Sequence, residues 1–103
     1  MGAMQRNKGA RGERELAEYL SHRGFPAERS CQRRGSPDSP DVLCPSLPFH
    51  FEVKRTETLR LHEALAQAIA DAGGGKVPAV AHRRSRGEWL AVLRLSDLLE
   101  LLR

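Results

Sequence analysis

The apolar positions of this chain fall into alternating blocks of helical and strand period. Leu16, Ala17 and Leu20 recur at helical spacing between about Ala10 and Arg23, which predicts a helix stopped by Gly24, with His22 and Arg23 at the negative end of its dipole. A short strand is expected over about Ala27 to Arg33. Val42-Leu43 and Phe49 to Arg55 read as two more strands, joined by the proline-bounded turn "CPSLP". Leu61, Ala64, Leu65, Ala68, Ile69 and Ala72 form an amphipathic stripe. It predicts a helix over about Leu59 to Ala72, N-capped by Thr58 and stopped by Gly73-Gly74-Gly75. "VPAVAHR" and "EWLAVLRL" predict two strands joined at Ser85-Arg86-Gly87. Pro78 has no N–H, so its strand begins there or lies at an edge there. "SDLLELLR" closes the chain as a short helix capped by Ser96. The order helix, three strands, helix, two strands, helix predicts an α/β fold, a mixed sheet of about five strands flanked by helices.

With 103 residues there is room for one compact domain and one site. The start "MGAM" reads as a cloning remnant over residues 1–3, which leaves 4–103 as the expected domain. Apolar residues at 40% and charged residues at 29%, without a bilayer-length apolar run or a signal peptide, predict a soluble protein of the cytoplasm with no membrane partner. The net charge of +4 comes mostly from arginines clustered at 6–14, 29–34 and 83–86. Arg presents a planar fork of donors to phosphate, so a polyanion is one reading and a solvated basic surface the other. Cys31 and Cys44 are too few for a disulfide framework or a zinc site, and His22, His50, His62 and His82 show no metal-ligand spacing.

The candidate chemistry lies between Ser36 and Arg55, "SPDSPDVLCPSLPFHFEVKR". Strand alternation puts Phe49, Phe51 and Val53 on one face and His50, Glu52 and Lys54 on the other. Asp41 opens the preceding strand, and antiparallel pairing would bring its carboxylate next to that of Glu52. Asp38 sits in a Gly/Ser/Pro loop with no adjoining apolar run, so Asp41 is the better ligand candidate. Glu13 lies three, four and seven positions before Leu16, Ala17 and Leu20, on the inward face of its helix, whereas Arg14 and Glu15 face elsewhere. A favourable charge near the positive end of the helix dipole accounts for Glu13 taken alone. Carboxylates beside a lysine suit metal-assisted attack of water on a phosphodiester. The plain alternative is a surface ion pair between Glu52 and Lys54 with Asp41 as a turn residue.

"KGARGERELAEYLSHRGF", "ERS", "PDV" and "FEVK" together resemble the PD-(D/E)xK nucleases, and among them the archaeal-type Holliday junction resolvases, small dimeric endonucleases also carried by some phages. The resemblance implies a restriction-endonuclease-like core and a Mg²⁺-dependent endodeoxyribonuclease, with Mn²⁺ as a substitute and no small-molecule cofactor. Asp41 and Glu52 would bind the metal, with Glu13 and the Val53 carbonyl completing its surroundings, and Lys54 would serve the water. Arg14 and Arg29 would contact phosphates near the site with Ser30 close by, while Arg6, Lys8, Arg11, Arg33 and Arg34 would hold DNA arms. Gln67 stands where related nucleases often carry a site glutamine, although a helix-surface role accounts for it too. The expected partners are branched DNA and a second copy of the chain, since paired nicks need two dyad-related sites. Leu90, Val92, Leu98 and Leu101 would serve either a dimer patch or the core. Other readings are a nuclease of the same fold acting on flaps, mismatches or duplex, a catalytically silent DNA-binding protein, and a protein-interaction module.

Overall fold

The computed structural model describes residues 2–30 and 40–103, with side chains described from Gly9 onward. Among these, the elements are α1 (Gly2–His22), β1 (Glu28–Arg29), β2 (Val42–Leu43), β3 (Phe49–Lys54), α2 (Leu61–Ala72), β4 (Val77–His82), β5 (Leu90–Val92) and α3 (Leu95–Leu101). The strands form one mixed sheet in the order β1-β2-β3-β4-β5. β3 and β4 run parallel through the α2 crossover, and the other neighbours are antiparallel. The α/β architecture expected from the periodicity is therefore present.

Both faces of the sheet are covered. Leu16, Ala17 and Leu20 of α1 pack with Val42, Cys44, Phe51, Ala79 and Ala81 on one side. On the other, Ala64 and Ala68 of α2 pack on Val80. Consecutive residues of β4 thus serve opposite faces, the period-two rule at work. The small side chains under α2 leave it close to the sheet, over the face that carries His50, Glu52 and Lys54. His50 is buried there, and His82 on β4 is held by a 2.8 Å hydrogen bond between its Nε2 and the Thr56 carbonyl.

Several boundaries differ from expectation. α1 begins at Gly2 rather than Ala10 and ends as predicted: Gly24 has φ +94°, its N–H donates to the Ser21 carbonyl, and Phe25 N–H donates to the Leu20 carbonyl. This is the Schellman closure. Thr58 does not cap α2. Arg60 occupies that position without a side-chain cap, because Thr56 Oγ1 donates to the Thr58 carbonyl and holds the connection in a turn of its own. Ser96 does not cap α3 either; the helix closes on the Arg94 carbonyl, and Arg94 Nε bonds Asp97 Oδ2 at 3.0 Å. β5 is shorter than "EWLAVLRL", and β1 is described only over Glu28–Arg29.

Pro78 shows why a proline fits here. Val77 N–H donates to Pro48 O and Arg83 N–H to Lys54 O, so the odd-numbered N–H groups of β4 face β3. Residue 78 would point its N–H towards the β5 side, where pairing begins only at Val80. The strand is locally an edge there.

Leu16 is almost fully buried between α1 and the sheet. Leu16→Ala is expected to cost about 2–5 kcal/mol, measured as a lower urea midpoint at unchanged m-value.

Candidate active site

The connection before β2 departs from a regular ladder at the residue singled out by the sequence. Val42 pairs with Phe51, yet the N–H of Asp41 also reaches Phe51 O at 3.0 Å. Asp41 and Val42 are both set against one partner, the two-against-one arrangement of a β-bulge. The Asp41 carboxylate then runs along β3, and its Oδ2 accepts the Val53 N–H at 2.8 Å. On the other flank, Ser30 N–H donates to the Asp41 carbonyl at 3.0 Å, which ties β1 to the same residue. Main-chain alternation along β3 directs the Val53 carbonyl to the same edge as Phe51 O, beside this carboxylate.

Glu52 lies on the face covered by α2, and its Oε2 is 3.6 Å from Lys54 Nζ. Burial is the largest influence on both acids, because it disfavours the charged form. It pushes Asp41 up to about 6, against which the Val53 N–H works and to which Glu13 adds. It pushes Glu52 up to about 7, with the negative charge of Asp41 adding and Lys54 opposing. The two carboxylates that the sequence joined by strand phase therefore feel one another. Asp71, in the last turn of α2, raises both as well. It was not singled out in the sequence, and its position four residues after Gln67 on a helix antiparallel to β3 is the only signal for it. Gln67 Nε2 bonds Asp71 Oδ2 at 3.0 Å. Gln67 is exposed at a cleft of about 380 Å³ that also includes Lys54, Thr56 and Arg60.

Glu13 does face inward, and its Oε1 accepts Arg29 Nε at 2.7 Å. This pair joins α1 to β1 beside Asp41. Arg11 and Arg14 are exposed on α1, and Ser30 is buried. The side chains of Arg6 and Lys8, and all of Arg33, Arg34 and Asp38, lie outside the described residues. Of the basic turn 83–86, Arg84 and Arg86 are exposed, whereas Arg83 is engaged with Gly87 O and Glu15. Glu15 departs most from its sequence reading. Its side chain is 23% exposed against 20% for Glu13, and it accepts from both Arg55 and Arg83.

Among the described residues no group of three or more His, Cys, Asp or Glu side chains gathers into a metal cage. What comes together is Asp41 and Glu52, two carboxyls whose charging is opposed by burial, with the charge of Asp41 further opposing that of Glu52. That donor set fits a hard divalent cation, which takes few protein carboxylates and keeps waters and phosphate oxygens as its other ligands.

Residues 4–103 match the model of a family described as "Phage putative PDDEXK endonuclease". The fold is similar to that of Hjc, a Holliday junction resolvase from the archaeal hyperthermophile Archaeoglobus fulgidus, with a TM-score of 0.62 and 28% identity over 81% of this chain and 74% of that one. Comparison with curated proteins gives no match. The restriction-endonuclease-like core inferred from "PDV" and "FEVK" is thereby shown. No helix among the described residues is long and apolar enough to cross a membrane.

Both raised carboxyls bind protons more tightly in the folded than in the unfolded chain, so in metal-free buffer their charging lowers stability as pH rises from about 4 to about 7. The penalty is absent below the unfolded values and complete above the folded ones. Glu52→Gln removes its share. In EDTA the variant is expected to match the parent near pH 4 and to melt several degrees higher at pH 8, about 4–8 °C for each kcal/mol relieved. Thermal unfolding by circular dichroism at both pH values checks this, and equal melting at pH 8 would contradict the burial of Glu52 as a charged group.

Proposed function

The chain belongs to the family of phage PDDEXK endonucleases, and from that premise we propose that it resolves four-way DNA junctions by Mg²⁺-dependent hydrolysis, nicking two opposed strands symmetrically. The observation that carries the proposal is that the Asp41 carboxylate is held on the N–H of Val53, the residue between Glu52 and Lys54, while Glu52 Oε2 lies 3.6 Å from Lys54 Nζ at the end of β3. The shifted equilibria of Asp41 and Glu52 are those of acids placed to share a cation. The likeness to an archaeal junction resolvase supports the choice of substrate.

Asp41 and Glu52, with the Val53 carbonyl and Glu13, would hold a Mg²⁺, which when bound would supply neutralisation of phosphate charge and a more nucleophilic water; Mn²⁺ is expected to replace it. The protein's own groups do the rest. Lys54 places an ammonium beside Glu52, where it orients the attacking water and offsets charge that develops on the phosphate. Asp41 is fixed by the Val53 N–H, so its second oxygen keeps one direction. Arg14 and Arg29 approach flanking phosphates from α1 and β1. Arg6, Lys8, Arg11, Arg33 and Arg34 carry the arms, with Ser30 beside the site. Such contacts follow the backbone and make binding salt-dependent with little sequence readout.

Symmetric nicking calls for a dimer. Leu95, Leu98, Leu99 and Leu102 are exposed along and just beyond α3, a helix with no buried residue, and Leu90 is exposed on the terminal strand β5. That stripe supports α3 and β5 as the self-complementary surface.

Cleavage of a labelled four-way junction beside the matching linear duplex tests the substrate. Paired nicks on the junction, dependent on Mg²⁺, are expected; equal cutting of duplex would sink the structure selectivity. Asp41→Asn, Glu52→Gln and Lys54→Ala should each slow cutting by about 10²-fold or more while junction binding survives. Asp38→Asn should cut nearly normally, and the reverse ranking of Asp38 and Asp41 would transfer the ligand role. Leu99→Arg should yield monomers in sedimentation and abolish paired nicking, whereas a variant that stays dimeric would move the interface elsewhere.

A further inference from the structure

The half of α1 that carries Glu13 is fastened differently from the half that carries the leucines. Leu16, Ala17 and Leu20 bury the later turns in the core. Around Gly12 the helix instead lies directly on the end of β3. A Cβ at Gly12 would stand 2.7 Å from Arg55 Cβ and 3.7 Å from Val53 Cγ1, so the absence of a side chain is what allows the approach. One turn on, Glu15 Oε1 accepts Arg55 Nε at 2.8 Å and Arg83 Nη1 at 3.1 Å, while Glu15 Oε2 lies 3.7 Å from Arg11 Nε.

Both strand arginines adjoin Lys54. Arg55 follows it in the chain, and Arg83 N–H donates to the Lys54 carbonyl at 3.2 Å. Arg83 is itself braced, with its Nε donating to Gly87 O at 2.7 Å. A single carboxylate oxygen therefore links α1 to the two strands whose adjacent ends frame the lysine. Glu15 and Arg55 are both largely covered, with side chains 23% and 20% exposed, so removing either leaves a half-buried charge short of a partner.

We infer that Glu15 is a positioning residue: by bridging Arg55 and Arg83 over the Gly12 contact, it holds Glu13 on α1 at a fixed distance from Glu52 and Lys54 on β3. The inference rests on the endonuclease reading of the site and adds to it the device that sets its geometry. Glu15 touches neither DNA nor metal. It acts through the placement of Glu13, whose carboxylate acts on Asp41. Misplacement of a reacting group by about 1 Å can cost about 10²-fold in rate.

The test compares Glu15→Gln, Arg55→Gln, their double variant and Gly12→Ala with Glu18→Gln, an exposed change on the same helix, at a temperature where circular dichroism shows every protein folded. Single-turnover junction cleavage at saturating Mg²⁺ is expected to slow about 10- to 100-fold in the first four, with junction Kd little changed and no further loss in the double variant. Glu18→Gln should cut at the parent rate. Amide hydrogen exchange, read without metal or DNA, should show protection over residues 10–15 falling about tenfold in Glu15→Gln, with residues 17–22 unaltered. Parent-rate cleavage by folded Glu15→Gln overturns the inference, and so does a slow variant whose exchange is unchanged, since Glu15 would then act directly. If the unmodified protein cuts no DNA with Mg²⁺ or Mn²⁺, the endonuclease reading fails by itself. The exchange comparison would still decide whether Glu15 holds the helix.

Discussion

The site depends on a backbone N–H satisfied by a side chain. Where β2 begins, the next inter-strand hydrogen bond of β3 goes to Asp41 Oδ2, at 2.8 Å from Val53 N. A buried N–H left without an acceptor would cost about 1–3 kcal/mol, so the bond fixes the carboxylate as firmly as a rung of the ladder fixes a carbonyl. The bulge at Asp41 and Val42 makes this possible by bending the chain along β3 rather than letting it pair on. From that one substitution of side chain for main chain follow the direction of the acid and its proximity to Glu52.

Holding acids in a partly buried place carries a standing electrostatic penalty, to which some of the surrounding groups add and which others limit. Glu13 and Asp71 reach Asp41 from helices on opposite faces of the sheet, each adding negative field. Lys54 opposes them at Glu52, and Arg29 caps Glu13. Arg55 and Arg83 are paired with Glu15 and largely covered, Arg29 is paired with Glu13 yet exposed, and Arg14, Arg84 and Arg86 stand exposed. Net charge alone is therefore a poor guide to which arginines face solvent.

The helices, the order of elements along the chain and the antiparallel pairing of β2 with β3 were legible because each depends on local periodicity or on the short reach of a proline-bounded turn. Glu13 was legible for the same reason, through its phase with Leu16 and Leu20. Glu15 was not, because its partners come from positions 55 and 83 and helical phase says nothing of what is brought up to a helix flank. Gly12 was the available hint, since a glycine inside a helix costs stability unless a close approach requires it. The caps failed where a side chain had a stronger claim. Thr56 holds the turn that would have made Thr58 a cap, and Asp97 pairs with Arg94 ahead of Ser96.

The way α2 packs argues that the second face of the sheet is shaped for access rather than for stability. Its fully buried contact with the sheet is made by Ala64 and Ala68 against Val80, small groups with Leu59, Leu65 and Val92 partly buried around them. Larger residues there would strengthen the core but lift the helix away from Glu52 and Lys54. With alanines, Asp71 is carried close enough to raise both acids, and Gln67 lines the cleft that the start of α2 leaves beside Lys54. The α1 side can afford the opposite solution, since Phe51, Val42 and the leucines build the hydrophobic core there. Most of the buried apolar side chains therefore stand on the α1 face, while the α2 face carries Glu52 and Lys54 beneath small side chains.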